Sequence, residues 1–190
     1  MSPNSPHAGF TLVELLVAMF IAVALYAVVV GPGRAQVEKQ KLAKCAENLR
    51  KLHLTVTLYA NEHDGEFPTG AGAANADEVF AGLVPRYTSD RSLFTCPATS
   101  HSDGRVGYAF VAGLRRESAS AMLASDAQVN AEPKRHGARL FADEEGSRAG
   151  NHGKAGGNLL FADGHVETVG TVAPRDFLFS KGTQLLNPAR

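Results

Sequence analysis

The sequence predicts an α+β protein: a long N-terminal helix, its first half of membrane type and its second half amphipathic, packed on a small antiparallel β-sheet head. Three observations predict it. Phe10 to Val30 is an apolar run of 21 residues in which only Thr11 and Glu14 are polar. Residues 34–62 repeat apolar side chains at spacings of three and four, the period of a one-faced helix. The C-terminal third holds short β-prone runs broken by turn residues, most clearly between Asn158 and Val169.

Over the whole chain of 190 residues, 19 Lys and Arg balance 19 Asp and Glu. No net field draws such a chain to a polyanion, so no nucleic-acid partner is expected. The balance averages unlike pieces. Residues 1–33 contain no Lys or Arg and one acid, Glu14; residues 34–62 carry a net +3 and residues 63–190 a net −2. These breaks divide the chain into an apolar helix of membrane type (10–33), an amphipathic stalk (34–62) and a head (63–190).

The first element, at about 1.5 Å per residue, makes roughly 31 Å of helix, enough for the hydrocarbon core of a bilayer. A removed secretory signal fits less well: the leader Met1 to Gly9 has no Lys or Arg, the apolar run is too long, and Ala22-Val23-Ala24 matches a cleavage site only loosely. A plain anchor explains the length but not Glu14. A carboxylate in an apolar span costs a few kcal/mol unless it reaches the interface or a partner, so Glu14 reads as functional. Gly31-Pro32-Gly33 then breaks the helix.

The stalk stripe runs through Leu42, Cys45, Leu49, Leu52, Val56 and Tyr59/Ala60, ends near Asn61, and is followed by the breakers Asp64-Gly65 and Pro68. His53 on this stripe reads as a packed histidine rather than a ligand. The head opens with loop-rich sequence and one short helix, Asp77 to Leu83. Strand-like runs follow at Val106 to Val111, Ala121 to Ala124 and Arg139 to Ala142. Asn158 to Ala162 and His165 to Val169 flank Asp163-Gly164, the dipeptide of a type I′ hairpin turn with positive φ at both central residues. Leu140 to Asp143 echoes Leu160 to Asp163, too briefly to make a repeat.

The chain has two cysteines. A Cys45–Cys96 disulfide would close a loop of about fifty residues, worth roughly 4 kcal/mol in the chain-entropy model; a buried free thiol at Cys45 is the alternative, and spacing alone does not choose. No CxxC or Cys/His zinc spacing is present. Nor is there a nucleophile elbow, a zincin helix, a P-loop or a dinucleotide fingerprint, so no enzyme is expected and no cofactor is required.

Gly9-Phe10-Thr11-Leu12-Val13-Glu14, followed by nearly unbroken apolar residues, resembles the class III signal of type IV prepilins and of type II secretion pseudopilins. The resemblance implies a pilin-like fold and a leader of residues 1–9. It implies cleavage between Gly9 and Phe10 by a membrane prepilin peptidase and methylation of the Phe10 amine. It also implies assembly with like or related subunits through the N-terminal helix, with Glu14 meeting a neighbour's Phe10 amine. The subunit would sit single-pass in the inner membrane with a periplasmic head, then enter a filament or reach the cell surface. Two features depart from the family. The basic residues Arg34, Lys39, Lys41 and Lys44 follow the span rather than precede it, against the positive-inside rule, which requires a dedicated insertion route or a basic leader upstream of Met1. The mid-helix Gly and later Pro common in the family are replaced by Gly31-Pro32-Gly33.

Asn151 to Val166 also resembles a C-terminal His-x9-Asp-Gly signature of a pseudopilin-like group, although ten residues separate His152 from Asp163 here. Cys45, Asn61, Gly65, Pro68 and Cys96-Pro97 fit the same likeness. If the Gly-rich segment folds back, His152, Asp163 and His165, with Asp126 as a further oxygen, become candidate metal ligands. The competing reading makes Asp163 and Gly164 turn residues, with His152 tying a loop to them. Two other functions stand beside the filament subunit: a membrane-tethered binding module that does not polymerise, and a metal-dependent hydrolase-like head.

Overall fold

The computed structural model describes residues 11–30, 33–98, 105–144, 147 and 149–189. The chain divides into two compact units, Met1–Val37 and Glu38–Arg190. Gly9 and Phe10 lie outside the described residues.

In the first unit, helix α1 covers Leu12–Val30. Its side chains are apolar on every face and exposed from Leu12 to Val28, with Phe20 at 76% and Val28 at 77%. A helix greasy all round has no solvated side and calls for burial by lipid or by other helices.

Helix α2, Arg34–Glu62, contributes its residues from Glu38 onward to the second unit. Cys45, Leu49, Leu52, Val56 and Ala60 are fully buried and recur every three or four residues, as an amphipathic helix requires. On the outer side Glu47 pairs with both Lys44 and Lys51 at 2.9 Å. Hydrogen bonding to these two ammonium groups, Lys51 foremost, lowers its carboxyl to about 2. A short helix α3, Ala76–Ala81, is capped by Asn75, whose side chain accepts from the Glu78 amide.

Five strands form one antiparallel sheet: β1 Tyr108–Ala112, β2 Met122–Asp126, β3 Gly157–Phe161, β4 Val166–Val169 and β5 Gln184–Leu186, in the spatial order β4-β3-β2-β1-β5. The α+β class expected from the sequence is the observed one. Every residue of β1, β2 and β3 is buried. Because neighbours along a strand point to opposite faces, both faces of these strands are covered. The core joins the α2 stripe to Phe67, Phe80, Phe94, Phe110, Phe141 and Phe161. Phe80 stacks on Phe94 and meets Phe110 edge-on.

Two local expectations change. Arg139 to Ala142 makes only an isolated bridge, Arg139 to Val172. The Leu140 and Phe141 amides both donate to Thr171 O, at 2.8 and 3.2 Å, which is not a ladder pattern, while both side chains are buried in the core. The hairpin turn is not type I′. Among the described residues Asp64 is the one non-glycine with positive φ, so Asp163 keeps an ordinary backbone and only Gly164 turns left-handed, at φ 92°. Gly164 N donates to Phe161 O and Phe161 N to His165 O. The result is a three-residue loop: a type I turn closed by a left-handed glycine. Asp163 Oδ1 favours it by accepting from the His165 amide at 3.0 Å.

His53 lies over this turn. Its Nε2 is 3.1 Å from Ala162 O, and a Cβ at Gly164 would come within 2.8 Å of its ring. Gly164→Ala should therefore cost the left-handed penalty of about 1–2 kcal/mol plus a clash. Gly72→Ala, also left-handed at φ 81° but with nothing within 4 Å, should cost the penalty alone. Urea unfolding of the two full-length variants compares them; equal losses would show that the His53 contact does not constrain the turn.

Candidate functional site

Two places concentrate chemistry. The first is the start of α1. Thr11 precedes the helix, and its Oγ1 accepts from the Glu14 amide at 3.2 Å. Glu14 Oε2 reaches back to accept from Thr11 N at 3.3 Å and Thr11 Oγ1 at 3.2 Å. This is a reciprocal capping box, Thr-x-x-Glu, which satisfies orphan donors of the first turn and places a carboxylate at the positive end of the helix. The lone acid of the apolar run is thus held at the helix N-terminus. The Thr-x-x-Glu spacing was the available signal for this role of Thr11.

The second place is buried between α2, the sheet and the loop before β3. Cys45 comes from the α2 stripe and Cys96 from the segment after a short 3-10 helix, Arg91–Phe94. The two form a disulfide with their Cα atoms 5.5 Å apart. His152 Nε2 lies 3.4 Å from Cys96 Sγ and 3.6 Å from Asp126 Oδ1. The side chains of His152 and Asp126 are 0% and 1% exposed.

The Asp126 carboxylate ends β2 and is ringed by donors. Asn151 Nδ2 donates to Oδ1 at 2.9 Å; the Asn158 amide and Nδ2 donate to Oδ2 at 2.8 and 3.2 Å. Each asparagine also reaches a second partner. Asn151 Nδ2 donates to Gly107 O before β1, Asn158 Nδ2 donates to Leu42 O of α2, and Asn158 Oδ1 accepts from Thr168 of β4. Across the sheet from Asp126 stands Tyr108. Burial, reinforced by the Asp126 charge, pushes its phenol well above the ordinary tyrosine range. His152 Nδ1 is buried and has no hydrogen-bond partner among the described residues.

The four residues proposed from sequence as metal ligands therefore divide into two pairs. Asp126 and His152 meet in the interior beside the cysteines. Asp163 and His165 pair with each other at the exposed hairpin, His165 Nδ1 lying 2.6 Å from Asp163 Oδ1. The His165 amide, then its ring, hold the Asp163 carboxyl below the usual range. Cys45 with Cys96, and Asp126 with His152, are each expected candidates, but sequence spacing gives no sign that the two pairs converge, because each residue comes from a different element.

An acid-capped apolar helix and an α+β head make the fold pilin-like. Residues 4–29 match the family model described as the prokaryotic N-terminal methylation motif. The chain carries the type IV prepilin-like signal, which implies prepilin peptidase processing and pilin-like assembly. The match stops well short of the head, and no curated protein and no solved structure matches the chain.

The ring of donors around Asp126 yields a stability prediction. Asp126→Ala strips the Asn158 amide of its acceptor and weakens both asparagine side chains. At about 1–3 kcal/mol per buried group left unpaired, the variant should lose about 2–4 kcal/mol. Urea unfolding of the full-length protein measures it, and a loss under about 1 kcal/mol would show that the carboxylate is not the tie described here.

Proposed function

We propose that the chain is a structural subunit of a type IV pilus-like or type II secretion filament. On this reading it is cut between Gly9 and Phe10, methylated on the new amine, held in the inner membrane by its apolar segment with the head in the periplasm, and assembled through that same segment. The match of residues 4–29 to the N-terminal methylation motif carries the reading.

The geometry of α1 supports it. The bonds that engage Glu14 within its own chain are 3.2–3.3 Å long and come from neutral donors. A charged amine offers a shorter and roughly twice stronger bond, so a neighbour's N-terminus competes well for the carboxylate. In an apolar bundle the amine and the acid neutralise one another, whereas either alone is expensive. Apolar side chains on every side of α1 suit it to a lattice of helices.

Membrane insertion belongs to this proposal. Among the described residues no helix is long and apolar enough to cross a membrane; α1 has 19 residues, against the ~20 a span needs. The 21-residue run begins at Phe10, before the described residues.

Mass spectrometry of the membrane-associated protein should find an N-terminus at Phe10 bearing a methyl group; an uncut chain, or cleavage near Ala24, overturns the proposal. Glu14→Ala should leave that cleavage in place yet lower filament incorporation by roughly tenfold or more, since an unpaired buried charge costs several kcal/mol. Normal incorporation would remove the amine–carboxylate pairing.

A further inference from the structure

The Cys45–Cys96 disulfide lies against two side chains that a disulfide does not need. His152 Nε2 is in reach of Cys96 Sγ at 3.4 Å, but its 3.6 Å approach to Asp126 Oδ1 is too long for a hydrogen bond. Nδ1 has no hydrogen-bond partner among the described residues. A fully buried imidazole is thus satisfied by one weak sulfur contact, while its Nε2 edge is turned toward two sulfurs and a carboxylate. One ligand atom from each of Cys45, Cys96, Asp126 and His152 lies within 4.8 Å of every other.

We propose that, with its cysteines reduced, this cluster is a structural zinc site in which Cys45 Sγ, Cys96 Sγ, His152 Nε2 and Asp126 Oδ1 bind one Zn2+ tetrahedrally. Zinc bonds of about 2.3 Å to sulfur and about 2.0–2.2 Å to nitrogen and oxygen set tetrahedral S···N and N···O separations of roughly 3.6 and 3.4 Å. The two separations in the cluster, 3.4 and 3.6 Å, already lie there. Only the sulfurs must part, to roughly 3.8 Å. Thiolates with imidazole favour zinc over calcium or magnesium, and four protein ligands leave no open position, so the site is structural rather than catalytic.

The carboxylate is already held in place for this role. Asn151 holds one lone pair of Oδ1 and Asn158 holds Oδ2, which leaves the other lone pair of Oδ1 for the ion. Charge is conserved as well. A neutral disulfide is exchanged for a Zn2+ with two thiolates, also neutral in sum, so the buried surroundings meet no new net charge.

The chemistry balances. Two molecules of a thiol reductant open the bond, giving two cysteine thiols and one reductant disulfide. Zinc then displaces two protons from the thiols to solvent. The same four residues therefore close the interior in two ways, by an S–S bond when oxidised and by an ion when reduced.

Co2+ titration of the full-length protein, reduced with a phosphine and freed of metal, tests this. Expected are one Co2+ per chain, the visible bands of a tetrahedral ion with thiolate charge transfer, bleaching by one equivalent of Zn2+, and no such spectrum in the oxidised protein. His152→Ala should weaken binding at least tenfold, roughly the effect of losing a ligand or its support. X-ray absorption of the zinc-loaded wild-type chain should show two sulfur ligands at about 2.3 Å and two nitrogen or oxygen ligands. Circular dichroism follows the fold: if the reduced chain loosens without metal, Zn2+ should restore it. A reduced chain that neither binds Co2+ tetrahedrally nor refolds with Zn2+, equal affinity in His152→Ala, or a zinc shell without two sulfurs overturns the proposal.

Discussion

One carboxylate organises the head. Asp126 is buried at the end of β2, where an ion without donors would cost several kcal/mol. Its acceptors are filled by Asn151 and Asn158, and each asparagine passes the constraint outward, to the segment before β1, to β4 and to the backbone of α2. The strand order thus gains a polar fastening that apolar packing lacks. Hydrophobic contact is nondirectional and tolerates a slipped register; a carboxylate with three donors at 2.8–3.2 Å does not. The disulfide from α2 sits beside the same group, so helix and sheet are joined there by covalent, polar and apolar links at once.

What the sequence makes legible follows from the range of the interactions. The α2 stripe and the β3–β4 hairpin are written in local periodicity, and the helix that ends at Glu62 and the strands around Asp163-Gly164 are where those patterns place them. The turn type is not legible from Asp-Gly alone, because that pair serves more than one hairpin. The choice rests on whether Asp163 turns left-handed or spends its carboxylate on the His165 amide, and it does the latter. β5, three residues long, carries too little pattern to stand out. The interior cluster is legible only in halves: Cys45 with Cys96, and Asp126 with His152, can each be named as candidates, but the two halves come together only through the tertiary fold, and no short spacing encodes that. Of the acids expected near His152, Asp126 stands 3.6 Å from it, while Asp163 stays at the hairpin with His165.

At the other end of the chain the local code is sufficient. Glu14 stood out as a charge in a greasy run. Its partner in the free chain is Thr11, three residues earlier, and the pair closes the helix start in the manner of soluble helices. That changes the energetic problem of an acid in an apolar segment. The carboxylate does not wait bare for a neighbour; it has a modest resting arrangement that a stronger donor can replace. On the proposed reading, such a cap lowers the cost of the unassembled state without making it the preferred one.

The two carboxylates show how one physical cost is met in two ways. Asp126 is fixed by donors drawn from its own chain, and once they are in place nothing outside the head is needed to satisfy it. Glu14 has only neutral, longer bonds on an exposed helix. Buried among apolar helices it would be undersupplied by the donors the described residues give it, and a charged donor would make the deficit good. On the proposed reading that group is the amine of another subunit. A deficit inside one molecule then becomes a preference for a particular axial position between two, because an amine and a carboxylate bond at a single offset whereas greasy helix faces slide. Stability of the head and register of the filament would then depend on the same rule, that a buried carboxylate must be given its donors.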